Sequence, residues 1–155
     1  MANHIKEIKQ IGFATTDIEH AIENFKKIGL TDWSPVEKVT PEGYVDMICD
    51  GKPQPYSMLC ASNFETDVEI EIIQPLDEYS DYYRWLKKLD MWIAMHHLSV
   101  ESDDIEEMQK SGRTLLLAGH TEGIPFGWNY FDLRDEIGTV LEYFPAPMGD
   151  SEEDQ

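Results

Sequence analysis

Polar and apolar residues alternate from residue 5 to residue 15, the period-two signature of a half-buried strand. Asp17 then stands where a helix N-cap belongs, and Ile18, Ala21, Ile22, Phe25 and Ile28 recur at helical spacing. Gly29 closes that helix as a C′ residue. Strand-like stretches follow around 36–39, 44–49 and 57–61, separated by the turns Pro41-Glu42-Gly43 and Gly51-Lys52-Pro53. Val68–Ile73 is the strongest strand, and Pro75 ends it. Residues 80–89 predict a short bridging helix, and a strand over 95–101 opens the second half. Asp104 caps the next helix, with Glu107 at capping-box spacing, and Gly112 ends it. Leu115–Ala118, Trp128–Leu133 and Thr139–Phe144 are the remaining strands. Strands flanking a helix, without regular strand–helix alternation, predict an α+β fold.

The pattern occurs twice. Gln10-Ile11-Gly12-Phe13-Ala14-Thr15-Thr16-Asp17-Ile18-Glu19 aligns without a gap on His97-Leu98-Ser99-Val100-Glu101-Ser102-Asp103-Asp104-Ile105-Glu106. Later in each copy Ile70-Glu71-Ile72-Ile73 matches Leu141-Glu142-Tyr143-Phe144. A duplicated unit is the first thing to establish about a fold. A glutamate flanked by apolar residues in a strand is unusual, and here it recurs at one place in the repeat. Strand parity sharpens the point, because side chains alternate between faces. Ile11 and Phe13, Ile70 and Ile72, Leu98 and Val100, and Leu141 and Tyr143 supply four apolar faces for packing on helices. Gln10, Glu71, His97 and Glu142 then share the other face of the sheet. His96 falls on the opposite face from His97 and reads as a core or interface histidine. His120, in Gly119-His120-Thr121-Glu122-Gly123, reads as a solvated loop residue.

At 155 residues, 41% hydrophobic and 28% charged, the chain is ordinary globular material. The reading is a single domain over 1–145: module one about 5–76, a linking helix about 80–89, and module two about 95–145. Residues 146–155 form an acidic tail. The net charge of -19 tells against nucleic-acid binding, which draws its affinity from Lys and Arg at phosphates. No apolar run is long enough to span a bilayer, and the N-terminus lacks a signal peptide's apolar core. Two cysteines, Cys49 and Cys60, make no disulfide framework, so the expected compartment is a reducing cytoplasm.

Several of these stretches resemble vicinal oxygen chelate proteins, the glyoxalase, bleomycin-resistance and extradiol dioxygenase group. They are Ile8-Lys9-Gln10-Ile11-Gly12-Phe13-Ala14 with Asp17-Ile18, Glu69-Ile70-Glu71-Ile72-Ile73-Gln74-Pro75-Leu76, Met95-His96-His97-Leu98-Ser99-Val100 and Gly138-Thr139-Val140-Leu141-Glu142-Tyr143. Within that group the stretch from Glu71 through Trp85-Leu86 to His97 is most similar to methylmalonyl-CoA epimerases and their glyoxalase-like relatives. The resemblance implies two βαβββ modules forming an open, cupped mixed sheet with helices outside. It also implies a homodimer and one divalent metal ion, its four ligand positions falling on Gln10, Glu71, His97 and Glu142. Epimerases carry His at the first position; a Gln, Glu, His, Glu set is that of zinc-type glyoxalase I proteins.

One imidazole, two carboxylates and an amide oxygen suit Zn, Mn, Ni, Co or Mg. Such a site can polarise a carbonyl of a small-molecule substrate and stabilise the enolate left when a proton departs. The resemblance gives Glu142 and Glu42, the latter in the Pro-Glu turn, as the acid–base groups. Trp128 and Tyr130 share a strand face and are candidates for an apolar substrate pocket. The expected activity is that of an epimerase, isomerase or lyase. The alternatives are a non-catalytic small-molecule binder of the same fold and, third, a ring-cleaving dioxygenase, whose usual two His and one carboxylate this chain does not offer.

Overall fold

The computed structural model describes residues 5–102, 105–124 and 126–145. The first module comprises β1 (Ile5–Thr15), α1 (Ile18–Lys27), β2 (Glu37–Val39), the hairpin strands β3 (Tyr44–Cys49) and β4 (Lys52–Pro53), β5 (Met58–Asn63) and β6 (Glu69–Pro75). Helix α2 (Asp81–Leu89) links it to β7 (Ile93–Ser102), α3 (Ile105–Lys110), β8 (Leu115–Thr121), β9 (Trp128–Leu133), α4 (Arg134–Ile137) and β10 (Thr139–Pro145). The ten strands form one curled, open mixed sheet in the order β2-β5-β6-β1-β7-β10-β9-β8-β3-β4. The expected α+β cup of two βαβββ modules is therefore present: β2-β5-β6-β1 and β7-β10-β9-β8 are the same arrangement twice, joined by antiparallel β1 and β7.

One strand pair departs from the linear reading. β3 and β4 belong to the first half of the chain, yet β3 pairs with β8 at the far edge of the second module. Alternation along 44–49 reveals a strand but not its partner. The chain thus leaves β2 at one edge and enters β3 near the other. A short strap crosses between them, Thr40 and the 3₁₀ turn Pro41–Gly43. The Asp104 cap and the acidic tail lie outside the described residues.

Local chemistry explains the helices that flank the sheet. Asp17 is extended and its side chain accepts from the His20 backbone N–H at 3.1 Å, capping α1 as the sequence predicts. Ile18, Ala21 and Ile22 then bury against Ala61 and Ile72 on the convex face. On the second module Met108 of α3 packs with Val100, Phe131, Leu141 and Tyr143. The third cluster lies on the concave side, where Tyr82 and Leu86 of α2 meet Ala14, Ile73, Leu117, Tyr130 and Val140. Parity separates these clusters: Ile72 and Leu141 face out, whereas their neighbours Ile73 and Val140 face in. Among the described residues no helix is long and apolar enough to cross a membrane.

Candidate functional site

β6, β1, β7 and β10 lie side by side at the middle of the sheet. Gly12 sits between Glu71 on one neighbour and His97 on the other. Ser99 sits between Gln10 and Glu142 in the same way. The repeat that superposes Gln10 on His97 superposes Gly12 on Ser99, so the two ladders are copies related by the duplication.

His97 Nε2 is the focus. Gln10 Oε1 lies 3.0 Å from it, Glu142 Oε1 3.4 Å and Glu71 Oε1 3.8 Å. Tyr130 brings its hydroxyl to 3.4 Å from the same nitrogen. The Ser99 hydroxyl contacts both Gln10 Oε1, at 2.8 Å, and Glu142 Oε1. Gln10, His97 and Glu142 are buried; the Glu71 side chain keeps 20% of its surface exposed. The structure therefore brings the four sequence-predicted residues together on one face.

Two neighbours set the orientation of this group. The Gln10 amide donates from Nε2 to Glu69 Oε2 at 2.8 Å, and Glu69 also accepts from Ser62 Oγ at 2.8 Å. A carboxylate only accepts, so it turns the Gln10 oxygen toward the centre. Gly12 makes room for the imidazole. A Cβ there would stand 2.0 Å from His97 Cε1, a distance no side chain could hold.

His96 is buried, as a core histidine is expected to be, but it does not lie on the opposite face from His97. Gly12 pairs with His97 but Phe13 pairs with Met95, which leaves His96 as the extra residue of a β-bulge. The bulge breaks strict alternation and sets the two rings side by side, His96 Nδ1 being 2.9 Å from His97 Nδ1. His96 Nε2 lies 2.7 Å from Asp81 Oδ2, at the start of α2. Arg134, the first residue of α4, closes on Asp81 with both guanidinium amines. Arg134 itself stacks on Trp85, 4.2 Å from its ring centre.

The charges follow from these contacts. Burial, then the charges of Glu142 and Glu69, raises Glu71 well above its ordinary value. Burial would raise Asp81 too, but the His96 hydrogen bond and charge and the Arg134 contact outweigh it and bring it to about 2. Burial lowers His96 to about 4, against the pull of Asp81. Tyr130 is pushed far up by burial and by Glu142, so its hydroxyl keeps its proton.

The donor set is one imidazole nitrogen and three oxygens at mutual reach. Adjacent ligands of a cation with bonds near 2.1 Å stand about 3 Å apart, close to the 3.0–3.8 Å found around His97 Nε2. Among the described residues no group of three His, Cys, Asp or Glu side chains forms a metal-holding set by itself. Here an amide would complete it, and small side-chain shifts would have to centre it.

The other candidates lie elsewhere. Glu42 is exposed on the strap. Asp46 is exposed and pairs with His120 at 2.7 Å; His120 falls at the end of β8 rather than in a free loop. Trp128 and Tyr130 separate despite their shared parity. Tyr130 stacks beside His97, its ring centre 4.7 Å away. Trp128 donates to the Tyr56 hydroxyl at 2.6 Å and borders a cleft of about 370 Å³ with His120 and Phe126. A second cleft, about 470 Å³, runs between α2 and the ends of β1 and β6, past Lys87, Met91 and Trp92. Neither includes the four clustered residues. Sequence reasoning passed over Glu69 and Ser99, although both share strand parity with Glu71 and His97. Asp81 and Arg134 carried no sequence signal, because only the tertiary fold joins α2 to the end of β9.

No curated protein matches the chain. Among solved structures it is similar to methylmalonyl-CoA epimerase from Mycobacterium tuberculosis, with 19% identity, a TM-score of 0.58, and 92% of this chain and 90% of that one covered. A Streptomyces coelicolor methylmalonyl-CoA epimerase variant in complex with 2-nitronate-propionyl-CoA gives 17% identity, a TM-score of 0.61, and 92% and 99% coverage. A hypothetical protein from Bacillus halodurans C-125 gives 19% identity, a TM-score of 0.59, and 91% and 94% coverage. At such identities these likenesses establish the fold. The family model of the Glyoxalase/Bleomycin resistance protein/Dioxygenase superfamily matches residues 9–127. With its duplicated cup and a matched region spanning most of its length, the chain belongs to that superfamily.

Proposed function

We propose that this chain is a divalent-metal-dependent enzyme of the epimerase, isomerase or lyase type, acting on a small carbonyl or acyl-CoA substrate through a stabilised enolate. The reading rests on one observation: oxygens of Gln10, Glu71 and Glu142 gather around His97 Nε2. These four residues would hold Zn, Mn, Ni, Co or Mg. Such an ion supplies Lewis-acid polarisation of a carbonyl oxygen. Glu142 is buried and held by the Ser99 hydroxyl, which fixes the orientation of its side chain. Glu71 alone of the cluster reaches solvent to any extent, so we assign the moving proton to its carboxyl oxygen. Tyr130 presents a protonated hydroxyl that can donate to a developing oxyanion. Glu42, exposed on the strap, has no described contact with the cluster and is assigned no part in the proton transfer. The Streptomyces complex with an acyl-CoA analogue favours thioesters as the first class to test. Exposed apolar residues on the two central strands, Ile5, Ile8 and Met95, support a homodimer.

Elemental analysis of protein purified without added metal tests the centre. The expected result is one equivalent of divalent metal, lost in Glu71→Ala and in His97→Ala. Solvent deuterium should then enter the α-carbon of an acyl-CoA substrate, and Glu71→Gln should slow that exchange at least 100-fold, the lower end of what a general base contributes (about 10²–10⁴). Absence of metal in the wild type would instead favour a non-catalytic binder, a reading supported by the clefts that lie away from the cluster.

A further inference from the structure

We propose that the cleft of about 470 Å³ between α2 and the ends of β1 and β6 is the entrance to the buried cluster, and that Leu86 and Tyr82 of α2 are the gate between them. What passes, the acyl end of a thioester substrate, rests on the function proposed above; the route rests on the fold.

Cluster and cleft stand on one strip of the sheet. Side chains two residues apart in a strand share a face. Gln10, Gly12 and Ala14 of β1 pair in register with Glu69, Glu71 and Ile73 of β6. The next position in each row, Thr16 and Pro75, lines the cleft. At the rise of a strand, Pro75 is about 13 Å from Glu71. Ala14 and Ile73 form the floor between, and α2 packs on that floor through Leu86 and Tyr82.

Leu86 belongs to both compartments. It lines the cleft, and it is buried in the concave core with Ala14, Ile73 and Tyr130. Tyr82 stands one helical turn back on the same side of α2. Its ring centre is 5.8 Å from that of Tyr130 and 6.4 Å from that of His97. The two side chains therefore stand in line between the cleft and the imidazole. Tyr82 also has an unused hydrogen bond: its hydroxyl is fully buried near that of Tyr130, yet it has no partner. A buried polar group left unpaired is costly. A carbonyl oxygen drawn in past Leu86 would remove that cost, so entry of the substrate offsets displacement of the gate.

The competing route runs past Glu71, whose side chain keeps 20% of its surface exposed. There Glu69 stands beside Glu71, an unfavourable approach for an anionic thioester. The cleft carries Lys87 as well as Asp90.

The test is carbethoxylation of His97 by diethyl pyrocarbonate in chelator-treated protein, followed by peptide mass spectrometry and scaled to His120, near the far edge of the sheet. Leu86→Ala should speed the reaction about tenfold, because access to a buried group tracks the free energy of local opening. Thr16 is exposed, so Thr16→Trp fills the cleft without disturbing the core and should slow the reaction several-fold. Met108→Ala removes comparable bulk from the convex core and should leave the rate close to that of the wild type. Acceleration in Met108→Ala equal to that in Leu86→Ala would mean that general loosening admits the reagent, and overturns the gate. A rate unchanged by Leu86→Ala also overturns the gate. A rate unchanged by Thr16→Trp overturns the entrance and puts it beside Glu71. If Leu86→Ala fails to fold, Thr16→Trp still decides. Rates that respond as expected in a protein that binds no metal would keep the entrance and sink the metal-centre reading.

Discussion

Glu71 illustrates how a single residue couples the site to stability. Burial and the nearby charges of Glu142 and Glu69 raise its folded-state pKa above the ordinary value of 4.5. The native state then holds that proton more tightly than the unfolded chain does. Protein stripped of divalent ions should therefore lose stability as pH climbs from the ordinary carboxylate range toward the raised folded value. Glu71→Gln removes that loss. Its thermal midpoint in chelator should exceed the wild type's by a margin that is small below the ordinary range and grows above it. Adding a divalent ion should reverse the order. A margin that shrinks with rising pH would contradict the electrostatic picture. At this scale much of the candidate site was readable in the sequence, because Gln10, Glu71, His97 and Glu142 lie in strands whose parity is set by apolar neighbours. His96 is buried as expected, but its face was not legible, because a bulge adds one residue to β7 and alternation cannot register an addition that only the partner strand reveals.

Elements were legible where local signals sufficed. The Asp17 cap, the α1 stripe and the alternation in β1, β6 and β10 each appear where the pattern put them. The pairing of β3 was not legible, because its register with β8 joins residues about seventy positions apart and both strands look alike to any local rule. The swap has a measurable result. Residues 5–90 and 91–145, expressed as separate chains, would leave the β3–β4 hairpin without β8 and expose the β8 edge. Each half alone should aggregate or show no cooperative unfolding. Co-expression should yield one soluble complex with a single transition. A first half that folds cooperatively by itself would show that the hairpin can find another partner.

For the molecule as a whole, charge decides how a substrate arrives. With a net charge of -19, the protein repels a polyanionic CoA thioester at long range. Raising ionic strength from about 0.01 M to about 0.15 M shortens the screening length from about 30 Å to about 8 Å. The measured kcat/KM for an acyl-CoA should accordingly rise over that interval, whereas an uncharged carbonyl compound should show a flat profile. A fall with salt would mean that basic residues such as Lys87, beside the larger cleft, steer the substrate.

The strap between β2 and β3 also limits how far the sheet can open. Thr40 to Gly43 tie Val39 of β2 to Tyr44 of β3, and a run of that length spans at most roughly 18 Å. The sheet is open in its hydrogen bonds but closed in its covalent chain, like a basket with a handle. Its two rims cannot part beyond the handle's length however the packing relaxes. The gap between the β2 and β4 ends of the sheet is thus bounded in width by the covalent chain as well as by packing.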